Sequence, residues 1–351
     1  MTRTMRSFPL FIRTAVLLIA SVFAFGCGQN RAAAFSGKTM GTTYHIKVVY
    51  GFLQSTGQLE DQISRRLREV NQSMSAFIPE SELNRFNNFQ KTGEPFHASS
   101  DFMKVMTLAC ETHRITEGAW DGTLKPLIDL WGFGSKHAGH QVPEPSAIAQ
   151  CLKTIGFQHI ACFPEGYLVK KKAFVTVDLA SIAKGYGVDA ICELIAENGF
   201  QNYLVEIGGE VRASGRNSQG RPWKVGINTP KSDAAVDDVY RIVALNDLSM
   251  ATSGDYRNFF EMNGKRYSHV VDPRTGYPVD NAVISVSVSA SSCAFADALA
   301  TGLMVMGPDK GIELINGLEN IECLMVVQNR DGSQTDFSSS GFDRMCQTGA
   351  P

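Results

Sequence analysis

The chain has 351 residues, 44% hydrophobic and 19% charged, enough apolar material to bury a large core; that composition excludes a disordered tail or a fibre. Lys and Arg number 33 against 35 Asp and Glu, a formal charge of -2. There is no polybasic footprint for a phosphate backbone, so nucleic acid is not an expected partner.

The first 26 residues read as a targeting segment. Arg3, Arg6 and Arg13 form a basic start, and Ala15 to Phe25 is a small, apolar run, shorter than the about 20 residues a bilayer span needs. Gly26-Cys27 follows and resembles a bacterial lipobox, in which Cys27 is acylated and becomes the mature N-terminus. The expected organisation is a lipoprotein signal peptide over 1–26, the lipidated Cys27 and its tether over 27–36, and one folded domain over 37–351. Such a protein is lipid-anchored in a bacterial cell envelope, on the periplasmic side of the inner or outer membrane.

Thr43 to Tyr50 alternates as a strand, and Leu59 to Val70 and Asp101 to Glu117 carry apolar residues at helical spacing. Ser73 to Phe89 between them is polar and turn-like, and Gly132 to Pro145 reads as an exposed loop whose His137 and His140 face solvent. Helical pattern returns at Ile148 to Ile155. A β-branched strand is expected at Ala173 to Leu179, then a helix from Ser181 to the Asn198-Gly199 stop. Strands are expected at 203–207, 223–227, 239–245, 267–271, 283–290 and 321–328, with a helix at Ala294 to Met306 and a turn at Gly307 to Gly311. No regular βαβ alternation appears, so the class is α+β, with a largely antiparallel sheet and packed helices.

Seven cysteines lie beyond Cys27: Cys110, Cys151, Cys162, Cys192, Cys293, Cys323 and Cys346. An odd count without CxxC or zinc-finger spacing gives neither a disulfide framework nor a structural zinc site. Cys110 and Cys192 fall in helix-like apolar patterns that suit core positions. One or two bridges are compatible with an oxidising compartment, and spacing does not pair them.

Four stretches carry chemistry. In Ala296-Asp297-Ala298-Leu299-Ala300-Thr301-Gly302, Asp297 and Thr301 are i and i+4 on one helix face among small apolar residues. A buried acid there caps the helix, pairs with a lysine, or joins the hydroxyl as an oxygen ligand of Mg²⁺. Asp178 to Gly187 runs from an acid through small residues into Lys184-Gly185 at a helix start, where amides and an ammonium can meet an anion. It has neither Walker A spacing nor a dinucleotide fingerprint, and taken alone Lys184 is also compatible with a solvated surface. His269 precedes the Asp272-Pro273-Arg274-Thr275-Gly276 turn, a rigid place from which to present an imidazole or to hold a purely structural one. Trp120, Trp131 and Phe133 offer aromatic faces that suit either a core or a flat ligand.

In this order, the motifs resemble those of the FAD:protein FMN transferase family, often called the ApbE family. The resemblance runs from Met40-Gly41-Thr42-Thr43-Tyr44 through Met74-Ser75-Ala76-Phe77, Ser81 to Asn87, Trp131 to Gly134 and Asp178 to Gly187. It continues through Glu206-Ile207-Gly208-Gly209-Glu210, Ser253 to Arg257, His269 to Gly276 and Ala296 to Gly307, nearly the whole mature chain. It implies a core similar to the T-fold, with FAD as substrate and Mg²⁺ as cofactor. The implied reaction transfers FMN to a Ser or Thr of an acceptor protein, such as a subunit of a redox membrane complex, and releases AMP. By the same resemblance, Asp297, Thr301 and the Ser181 carbonyl would bind Mg²⁺. Met40, Phe77, Ala119, Trp120, Asp121, Asp178, Lys184, His269 and Val271 would line the FAD site. Asp297 and His269 are the expected catalytic pair, His269 either as base to the incoming hydroxyl or only to orient FAD. Gly122 and Lys125 depart from the family pattern. Alternative expectations are an FAD pyrophosphatase yielding FMN and AMP, or a non-catalytic FAD-binding lipoprotein.

Overall fold

A computed structural model describes residues 31–134, 142–231, 238–255, 259–262 and 264–346. The expected signal segment, Cys27, His137 and His140 lie outside the described residues. The chain enters through a hairpin of β1 (Arg31–Thr39) and β2 (Thr42–Tyr50). Its two-residue turn holds Met40 and Gly41 at φ 50 and 75, the left-handed pair that a tight hairpin turn favours. In β2, Tyr44, Ile46 and Val48 are buried and His45 and Lys47 exposed, so the alternation read from sequence sets one face on the core.

Helices α1 (Leu59–Met74) and α2 (Glu82–Asn88), strand β3 (Pro95–His97) and α3 (Ser100–Ile115) come next. Leu59, Ile63, Leu67 and Val70 form the buried stripe of α1. Then come α4 (Lys125–Leu130), α5 (Pro145–Leu152), β4 (Ile160–Phe163), β5 (Tyr167–Lys170), α6 (Ala183–Glu197), β6 (Asn202–Ile207) and β7 (Glu210–Ser214). The hairpin of β8 (Trp223–Asn228) and β9 (Val239–Leu245) leads to β10 (Leu248–Gly254) and a small hairpin of β11 (Phe259–Met262) and β12 (Lys265–Ser268). The chain ends its regular structure with β13 (Val283–Ala290), α7 (Cys293–Met306), α8 (Pro308–Asn316), β14 (Glu322–Gln328) and β15 (Gln334–Ser338).

The main sheet has eight strands in the order β1-β2-β6-β7-β10-β13-β14-β15, each neighbour antiparallel to the next. This is the α+β class expected. β13 is buried along its whole length because the sheet is covered on both faces there. Val286 and Val288 join the core under α7, while Ile284 joins the one under the β8–β9 hairpin. A register shift between Val283 and Ser285 lets residues two apart serve opposite faces.

What positions the site is the crossing of α6 and α7. A side chain at Gly185 would put its Cβ 2.3 Å from the Cys293 carbonyl oxygen, so only glycine lets the two helix starts meet. Asp189 on α6 then caps α7, accepting from the amides of Cys293 and Ala294 at 3.0 Å each and from Ser292 Oγ at 2.8 Å. Arg212 on β7 pairs with the same carboxylate at 2.8 Å.

The structure departs from the sequence reading at particular places. Residues 31–36, expected as tether, are the first part of β1. The segment expected as a polar turn before Phe89 contains α2, capped by Ser81 Oγ on the Asn84 amide, with Leu83 and Phe86 in the core. Ala173 to Leu179 is not a strand. Val175, Val177 and Leu179 are buried, and the Asn87 side chain accepts from the Val177 amide at 2.7 Å and donates to its carbonyl at 2.9 Å, replacing a strand partner. The expected strand at 267–271 ends at Ser268, with Val271 making only an isolated bridge to Pro278. The turn expected after Gly307 starts α8 instead, with Pro308 at the position where a missing N–H costs nothing.

Candidate functional site

A cavity of about 540 Å³ opens where α7, the start of α6, β7 and β10 face the segment 119–133 and residues 269–271. That volume is in the range of small-molecule sites. Its charged side begins at Asp297, buried in the middle of α7. Asp297 Oδ2 accepts from the Gly185 amide at 3.0 Å, and Oδ1 lies 3.6 Å from Lys184 Nζ. The same ammonium is 2.8 Å from Glu210 Oε1, at the first residue of β7. The other Glu210 oxygen, Oε2, is buried without a hydrogen-bond partner.

These three groups set each other's charge. Burial raises the Asp297 carboxyl above its ordinary range, although Lys184 opposes the rise. Burial, then the neighbouring Asp297 charge, pushes Glu210 up to about 7. For Lys184, burial works against the charged form, but Asp297 and Glu210 outweigh it and raise its pKa. One ammonium therefore stays charged between two acids that burial makes reluctant to ionise, and one carboxylate oxygen remains unsatisfied. A buried polar atom without a partner is costly, and its place on this wall marks where a ligand or cation would satisfy it.

Thr301 lines the cavity one turn beyond Asp297, its Oγ1 3.1 Å from Ser253 Oγ on β10. Ser181 lines it as well, and its hydroxyl accepts from Trp120 Nε1 at 3.0 Å. No group of three or more His, Cys, Asp or Glu side chains suited to a metal occurs among the described residues. The oxygen donors of Asp297, Thr301 and Ser181, with the orphaned Glu210 oxygen beside them, fit Mg²⁺, which takes few carboxylates and keeps water and substrate phosphate as its other ligands.

The facing wall is built by hydrogen bonds spent within the protein. Asp121 Oδ1 accepts from the Thr123 amide at 2.8 Å and its hydroxyl at 2.6 Å, and Oδ2 accepts from the Phe157 amide at 2.9 Å. Asp121 therefore holds the wall's shape. Gly122 is no loose joint: a Cβ there would meet Phe157, Trp120 and the Asp178 carbonyl at 3.1 to 3.3 Å. The Asp178 amide donates to the Gly122 carbonyl at 2.7 Å, tying the wall to the approach of α6. Lys125, which also lines the cavity, is held by Asp129 at 3.0 Å.

Ala119, Trp120, Asp121, Asp178, Ser181, Lys184, His269, Val271, Asp297 and Thr301 all line this one cavity. The His269 ring stands edge-on to Phe133, with centroids 6.3 Å apart. Met40 and Phe77 are not among the lining residues. Met40 packs instead over Gly187 of α6, and Phe77 is 90% exposed on the loop after α1. Tyr256 and Arg257 lie outside the described residues. Glu210 and Ser253 are the site residues that the sequence reading did not single out. Glu210 had a signal, an acid directly after Gly208-Gly209 at a strand end, where both glycines take positive φ. Ser253 had only its place in the Ser253 to Arg257 stretch, because β10 lacks a clear alternation.

Fold and site together define an α+β protein with a cavity that sets an ammonium between two acids on one side and aromatic and apolar side chains on the other. The sequence matches the ApbE family model over residues 40–325. It is 43% identical over 331 residues to the FAD:protein FMN transferase of Vibrio cholerae, covering 93% of this chain and 97% of that one. It is 39% identical to the protein of the same name from Haemophilus influenzae, covering 91% and 93%. The flavin transferase ApbE structure from Vibrio cholerae superposes with a TM-score of 0.81 at 40% identity, over 90% of this chain and 99% of that one. The apo flavinyl transferase ApbE of Pseudomonas stutzeri gives 0.81 at 34% identity, over 92% and 99%. The chain belongs to the ApbE family.

Proposed function

We propose that the protein is a Mg²⁺-dependent FAD:protein FMN transferase that joins the FMN half of FAD to a Ser or Thr hydroxyl of an acceptor protein and releases AMP. The observation that carries this reading is Lys184, held charged between Asp297 and Glu210 at the side of a cavity that also presents Thr301 and Ser181. The family relationship supplies the reaction class. In this reading the FAD diphosphate would lie toward Lys184 and its flat rings along the side lined by Trp120, Phe133 and Val271.

In the proposed reaction, the acceptor hydroxyl oxygen bonds to the FMN phosphorus, and the bond from that phosphorus to the oxygen kept by AMP breaks. His269 takes the hydroxyl proton. Lys184 meets the charge on the diphosphate oxygens, and the Glu210 carboxylate fixes the ammonium in place. Asp297, Thr301 and Ser181 would hold Mg²⁺, whose chemistry when bound is charge neutralisation on the phosphate oxygens.

The test is incubation with FAD, Mg²⁺ and a flavin-accepting subunit of a redox membrane complex, followed by denaturing electrophoresis and chromatography of nucleotides. Covalent fluorescence on the acceptor with stoichiometric AMP, lost on adding EDTA, is the expected result. Free FMN and AMP without labelled acceptor would replace the transferase by a pyrophosphatase. FAD retained intact would leave a binding protein. Acylation at Cys27 on the periplasmic side is part of the same proposal, supported by the N-terminal sequence and read out by radiolabelled palmitate in wild type against Cys27→Ser.

A further inference from the structure

Sequence spacing pairs none of the cysteines, but the fold brings two of them together outside the site. Cys110 is on α3 and Cys162 on β4. Cys162 Sγ donates to the Met106 carbonyl, one turn before Cys110, at 3.4 Å, and each of the two thiols shifts the other's ionisation. A helical side chain leans over the turn N-terminal to its own Cα, so the Cys110 sulfur and the Met106 carbonyl face the same point. Both cysteines pack against one core cluster, and both keep partial exposure. By contrast, Cys192, Cys293 and Cys323 are buried.

We propose that Cys110 and Cys162 form an intramolecular disulfide that staples α3 to β4. The two thiols are unequal. The neighbouring Cys162 side chain lowers the Cys110 thiol against the opposing effect of burial, and the Lys171 ammonium helps; Cys110 in turn, followed by burial, raises Cys162. Cys110 is thus the attacking thiolate and Cys162 the resolving group. With glutathione disulfide as oxidant, the Cys110 sulfur bonds to one glutathione sulfur and expels the other as a thiolate. Cys162 then loses its proton, its sulfur bonds to Cys110, and the second glutathione thiolate leaves. Two protein thiols are oxidised, two protons are released and one glutathione disulfide is reduced. The loop so closed contains the whole segment 119–133 that walls the cavity, so the staple restrains that wall where it joins the core.

Purified full-length protein would be incubated with reduced or oxidised glutathione, alkylated after denaturation and mapped by mass spectrometry, with Tm followed in parallel. The expected result is a cross-linked peptide containing Cys110 and Cys162, lighter by two hydrogens. Tm should rise on the order of 5 °C and return with dithiothreitol. Cys162→Ser should trap a glutathione adduct on Cys110, and Cys110→Ser should leave Cys162 largely unmodified. Full alkylation of both thiols after oxidation overturns the proposal. So does pairing of either with another cysteine, or a link that leaves Tm unchanged.

Discussion

Two lysines are withdrawn from water in this fold, and their surroundings are opposite. Lys170, on β5, is fully buried; its ammonium donates to the Asn87 carbonyl at 3.0 Å and sits 4.9 Å from the Phe86 ring centroid. No salt bridge to it occurs among the described residues, and burial pulls its pKa down to about 8. Lys184 keeps 30% of its side-chain surface, yet has carboxylates at 2.8 and 3.6 Å and a raised pKa. Burial alone thus pulls one lysine's pKa down, whereas two acids raise the other's. The second arrangement costs desolvation of three ionisable groups and leaves an acid oxygen unpaired, which a purely structural pair has no reason to retain. That contrast points to the cavity side as functional and to the small sheet as structural.

The comparison breaks most sharply if the charged side is dispensable. Asp297→Ala is expected to reduce FMN transfer by about a thousandfold or more, since it removes both the proposed metal ligand and a partner of Lys184. Lys184→Met is expected to cost about a hundred- to a thousandfold, mostly in kcat. Retention of activity within threefold by Lys184→Met, measured by acceptor fluorescence, would place the retained charge outside the reaction. Glu210→Gln sharpens the contrast. The amide keeps a hydrogen-bonding oxygen toward Lys184 but deletes the charge, so a loss of about ten- to a hundredfold is expected. An unchanged kcat with a raised KM for FAD would assign Glu210 to binding alone.

The sequence showed the α7 pair Asp297 and Thr301 because helical spacing alone places i and i+4 together. It showed β2 and β13 through β-branched pattern, and α1 through its stripe. It offered Glu210 only as an acid after Gly208-Gly209, because its importance depends on a strand crossing opposite α6, a long-range fact with no local period. It misread Ala173 to Leu179 for the same reason: the alternation was real, but Asn87, distant in sequence, supplies the backbone partner. Motif order carried the Met40 and Phe77 expectations, and the geometry places neither on the cavity lining.

The smallest effect tests the other lysine. In the unfolded chain Lys170 holds its proton to its ordinary 10.5, whereas in the fold it gives it up near 8. Between those values the unfolded state binds more protons, so stability rises with pH; below about 8 the whole cost of a buried charge is present. Lys170→Met removes that cost and the bond to Asn87 together. It is expected to stabilise the protein at pH 7 by about 1 to 3 kcal/mol. The advantage should shrink as pH approaches 10, when wild-type Lys170 is neutral in the fold. Urea unfolding of both proteins at pH 7 and pH 10 measures it. A difference independent of pH would mean that the Asn87 carbonyl and the Phe86 ring already compensate the charge, and the two lysines would then differ in their neighbours but not in their energetics.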